Sequence, residues 1–82
     1  MNPYNPNTER QLWLRWEISM EVAHAFGPYD ATRRWCQQDR PRMISHCLGT
    51  INSAARRAQI PAFDHFDIAG EIELVARCHG VR

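Results

Sequence analysis

Five side chains in this sequence are of the types that hold zinc or drive nucleophilic attack: Cys36, His46, Cys47, Cys78 and His79. Structural zinc sites usually take their ligands in pairs separated by about two to four residues, so that both members turn towards one ion. Here the pairs His46-Cys47 and Cys78-His79 are adjacent, and neighbours on a helix diverge by about 100°. Cys47 also falls within an apolar helical stripe, where a free thiol behaves as a small hydrophobe. Neither a metal site nor a cofactor is expected. A cysteine nucleophile needs a histidine within reach, an orienting group and donors for the oxyanion. Cys78 has His79 beside it, but no glycine-rich turn to supply the donors. Asp64-His65-Phe66-Asp67 brackets a histidine with carboxylates, and the same pattern describes a helix N-terminus whose dipole favours acidic side chains. The capping role is the expected one, and the chain reads as non-enzymatic.

The remaining chemistry is that of guanidinium groups. All ten basic residues other than histidine are arginine, and there is no lysine. A GC-rich coding genome produces that bias, and so does a need for planar, bidentate contacts to carboxylates or phosphates. Overall the formal charge is +1, but its distribution is uneven. Residues 31–60 hold Arg33, Arg34, Arg40, Arg42, Arg56 and Arg57 against Asp39 alone, while acidic residues outnumber arginines on both sides. The middle of the chain is a basic zone between acidic flanks. A helix-turn-helix laid over Ala54 to Glu71 would send Asp64, Asp67, Glu71 and Glu73 towards the phosphates, which opposes binding. It would also put Gln59 where the turn usually takes glycine. Sequence-independent nucleic-acid contact by the Arg42, Arg56 and Arg57 face, with Arg33, Arg34 and Arg40 nearby, remains the alternative reading.

The elements that must carry these side chains are helical, since no segment alternates with a period of two. Residues 1–7, rich in Pro and Asn, read as an extended leader before one helical domain over 8–82. A first helix is expected over about 8–26, opened by a Thr8-Glu9-Arg10-Gln11 capping box and stopped by Gly27-Pro28. Its apolar residues cover most of the helical circumference, Trp13 and Trp16 among them. Such a helix is either central to its bundle or leaves apolar surface for a partner. A short helix over about 30–38 follows, with Asp30 as its cap and Trp35 as its anchor. The third, over about 41–60, opens on Pro41 and buries a stripe of Met43, Ile44, Cys47, Leu48, Ile51, Ala54, Ala55 and Ala58. Its opposite face carries Arg42, Arg56 and the small residues Ser45, Gly49 and Ser53 in one row. The last helix is expected over about 65–78, closed by Gly80.

The fold expected is therefore all-α, a small bundle of three main helices and one short one. The function expected is a protein-binding module that acts by stoichiometric association. Its contact residues are Trp13, Trp16, Arg33, Arg34, Arg40, Arg42, Ser45, Gly49, Ser53, Arg56 and Arg57. In size and composition alone, the chain is similar to the small inhibitors and adaptors encoded by phages and other mobile elements, the anti-defence and anti-CRISPR types included. That similarity implies a partner that is a larger enzyme or nucleoprotein complex. A homodimer sealed through the first helix would use the same apolar surplus. An odd cysteine count without paired spacing, no membrane-length apolar run and no secretion signal at the start fit the cytoplasm.

Overall fold

A computed structural model of the chain describes residues 6–81. Within them four α-helices follow one another without a strand: α1 Pro6–Ala25, α2 Tyr29–Gln38, α3 Arg40–Arg57 and α4 His65–Cys78. The all-α expectation holds. Helix α3 is the hub, packing on the other three, while α1 also touches α4.

Helix α1 begins two residues before the expected Thr8, at Pro6, where a missing N–H is harmless in a first turn. The expected leader is thus shortened, and residues 1–5 lie outside the described residues. The expected capping box does not form, because Thr8 already lies inside the helix. Gln11, cast as its closing residue, instead donates from Nε2 to Glu71 Oε1 at 2.6 Å. Leu14, Ile18, Val22 and, past the helix end, Phe26 are buried at four-residue spacing, each such side chain contributing roughly 1.5–3 kcal/mol on leaving water. Gly27, with φ of 87°, turns the chain where other residues would be strained.

Helix α2 starts directly after Pro28, with no side-chain cap. Asp30, expected as the cap, sits within the first turn, and the Thr32 hydroxyl donates to Gly27 O at 3.0 Å. Trp35 meets Phe26 edge-on at 5.2 Å. Asp39 alone separates α2 from α3, and its carboxylate accepts from the Arg42 N–H.

Helix α3 buries Met43, Cys47, Ile51 and Ala55 and ends at Arg57, short of the expected residue 60. Gln59 adopts the left-handed conformation, with φ of 58°, and the Ile60 N–H donates back to Ala55 O at 2.8 Å. This closure satisfies an end carbonyl, and it turns Ala58, counted in the apolar stripe, out to solvent. The connection to α4 is pinned from both sides. The Asn52 side chain accepts from the Phe63 N–H at 2.8 Å and donates to Phe63 O at 2.9 Å. Trp13 stacks on the Phe63 ring at 5.9 Å, and Arg10 lies over the ring at 3.9 Å. Arg10 also donates to Ala62 O at 2.7 Å.

Helix α4 opens with a reciprocal Asp64–Asp67 capping box, the role expected of that acidic pair. Ile68, Ile72 and Ala76 complete the core. Gly80, with φ of 74°, closes the helix through a Val81 N–H bond to Ala76 O at 2.9 Å. Glu71, one of the four carboxylates that a helix-turn-helix would have turned towards phosphates, is buried. It accepts from Gln11 and from Arg15, whose Nε lies 3.2 Å away, so α1 and α4 are joined by a satisfied carboxylate.

Candidate protein-binding surface

Helix α1 has two apolar faces. Leu14, Ile18 and Val22 point into the core, while Leu12, Trp16 and Met20 are 53%, 66% and 53% exposed. The two rows share the four-residue spacing but are two residues out of step, which puts them about 200° apart around the helix. Each edge of the outward row is tied down. On one side Arg15 reaches Glu71, and on the other the His46 Nε2–H donates to Glu21 Oε1 at 3.1 Å. The hydrogen bond and charge of Glu71 raise the pKa of Arg15 above its usual value. Trp13, grouped with Trp16 in the sequence, is half-buried against Phe63 and braces the fold.

The outward face of α3 is as the wheel requires: Arg42, Ser45, Gly49, Ser53 and Arg56 are all exposed. A Cβ added at Gly49 would meet nothing within 4 Å, so the middle of that face is open. Arg57 turns towards α1 and lines, with Met20, His24 and Ala54, a groove of about 310 Å³.

The six arginines of the middle segment are not equivalent. Arg40 is drawn into the fold, its Nε donating to Cys36 O at 3.2 Å and its Nη1 lying 3.9 Å from Glu73. Arg42 stands 3.9 Å from Asp39 with a mostly exposed side chain. Arg33, Arg34, Arg56 and Arg57 are exposed and make no hydrogen bond or ion pair among the described residues. The structure therefore joins Arg42 and Arg56 on one face with the small-residue row, places Arg57 beside α1, and sets Arg33 and Arg34 on α2.

Sequence reasoning missed an exposed row on α4, Phe66 and Leu74 flanking Gly70, with Phe66 86% exposed. On a helical wheel Phe66 falls well away from the Ile68–Ile72–Ala76 stripe, and that offset was its signal.

Cys36, Cys47, His46 and His79 serve packing. Cys36 donates to Met43 Sδ at 3.8 Å, and burial pushes its pKa up against the opposing charge of Arg40. Burial, with a smaller effect from Glu21, pushes the Cys47 thiol up to about 12. Cys78 is exposed. The His79 Nδ1–H donates to Val75 O at 2.8 Å, and its ring stacks on Tyr29. Among the described residues no three His, Cys, Asp or Glu side chains gather as a metal-ligand group, and no helix is long and apolar enough to cross a membrane.

Set against protein-family models, curated proteins and solved structures, the chain matches none.

Proposed function

We propose that this chain is a non-catalytic binding module that associates stoichiometrically with a larger protein or nucleoprotein complex, an inhibitor of the mobile-element type. The observation that carries the reading is the Leu12–Trp16–Met20 row, three large apolar side chains each more than half exposed on the face of α1 opposite the core. Folding gains nothing from leaving that surface in water, and contiguous exposed apolar surface marks contact sites. Tryptophan and arginine are the residue types most enriched at binding hot spots. Arg56 and Arg57, without partners of their own, suit carboxylates that border the partner's apolar contact.

Trp16→Glu and the Arg56→Glu/Arg57→Glu pair test the reading. With tagged protein in extracts of the native host, each variant should lose the partner that the parent captures in stoichiometric amount. Helical circular dichroism and the urea midpoint should stay unchanged, because all three residues are exposed. Capture that survives both changes overturns the assignment. A homodimer closed through α1 would use the same row, and sedimentation across a concentration range separates it from a heterologous complex.

A further inference from the structure

We infer that the cleft between α2 and α3 is a phosphate-binding site for single-stranded nucleic acid. Arg34, Trp35 and Gln38 of α2 and Arg42 of the first turn of α3 wall an open concavity of about 610 Å³. Arg34 has no hydrogen bond or ion pair among the described residues. Arg42 has a loose one: its Nε is 3.9 Å from Asp39, and its side chain is 70% exposed. Both guanidiniums are thus available to a better acceptor. Asp39 also lines the cleft, but its carboxylate already accepts from the Arg42 N–H as the cap of α3. It reduces the positive charge of the cleft without cancelling it. Arg33, exposed and adjacent in sequence, adds to that charge.

The chemistry of the lining selects the ligand. A guanidinium offers paired N–H donors that match two phosphate oxygens. The indole of Trp35 supplies an aromatic wall, and the Gln38 amide can both donate to and accept from a base edge. A basic cleft with an aromatic wall is the combination that holds single strands. Two guanidiniums span one phosphate and not the ladder of contacts that runs along a duplex, and a paired base presents no free face to an indole. Arginine clusters also recognise phosphopeptides, and the aromatic wall with the Gln38 amide favours a base-bearing ligand over that one. The site includes neither the Leu12–Trp16–Met20 row nor Arg56 and Arg57, so the two readings fail separately.

The test is fluorescence anisotropy of a labelled oligothymidylate titrated with the full chain over a range of salt. One neutralised phosphate on a single strand predicts a slope of log affinity against log salt of about −0.7. Arg34→Gln and Arg42→Glu should each weaken binding about tenfold or more. Arg77→Gln, in the last turn of α4 and outside the cleft, should change it by less than about twofold. Arg34→Gln keeps an exposed helical position helical, so its loss of binding is separable from unfolding. The inference is overturned by absence of binding at low salt, by an equal loss in Arg77→Gln, by equal affinity for the duplex, or by tighter binding of a phosphotyrosine peptide.

Discussion

Two tryptophans three residues apart have opposite duties. Trp13 stacks on Phe63 and is partly buried, whereas Trp16 is 66% exposed. Trp13→Ala should therefore cost about 2–3 kcal/mol in urea unfolding, while Trp16→Ala should leave stability within about 0.5 kcal/mol. The sequence placed both on a helix too apolar for one interface, but it could not say which indole went where. Their assignment depends on Phe63, fifty residues on, and that contact is invisible to a helical wheel. Cys47 was legible, since its position within the stripe already marked it as core. Its thiol, held near 12 against a usual value of 9.0, makes stability depend on alkaline pH. Below about pH 9 both folded and unfolded chains keep the proton. Above it only the unfolded chain releases the proton readily, so stability falls as pH rises from about 9 to 12. Urea midpoints should decline over that range, less steeply in Cys47→Ala, whose midpoint at neutral pH is lower because of the cavity.

At the scale of elements, apolar stripes marked α3 and α4, start and stop signals marked α1 and α2, and capping chemistry fixed the ends only in part. Asp39, Asp64 and Gly80 close their helices with local groups, and two of them, Asp64 and Gly80, were readable directly. Thr8 and Asp30 carried equally good cap signatures that the structure does not use. At α1 the helix extends back to Pro6, and at α2 the turn at Gly27-Pro28 starts the helix before Asp30. The end of α3 was hidden because glycine, the usual marker, is absent. Gln59 takes the left-handed conformation in its place, at a steric cost of about 1–2 kcal/mol that glycine avoids. Gln59→Gly should accordingly raise stability by about 0.5–1 kcal/mol in thermal or urea unfolding, after the extra freedom of the unfolded glycine is subtracted.

For the whole molecule, the balance of arginine and carboxylate was only half legible. Net charge by segment allowed the basic and acidic zones to pair inside the fold, and Arg40–Glu73 joins them. Arg33, Arg34, Arg56 and Arg57 make no such pair among the described residues, and the candidate surfaces draw on them. The burial of Glu71 was not legible, because a Glu at the edge of the α4 stripe, between buried Ile68 and half-buried Val75, ordinarily turns to solvent and its partners lie on another helix. Its contacts to Gln11 and Arg15 tie together helices separated by more than fifty residues. Glu71→Ala should lower the unfolding free energy by about 2 kcal/mol. The Gln11 bond and the burial account for most of this loss, since Arg15 is half exposed and screened.

The clamp on Phe63 has a bearing on how the chain can be cut and rejoined. Residues 58–64 connect α3 to α4 with little regular structure, the profile of a splice point for new termini or a fused tag. Yet Asn52, Trp13 and Arg10 hold this stretch from α3 and α1 at once. It is a strut between the two halves of the bundle, and a circular permutant opened there would release the packing that keeps α1 in place.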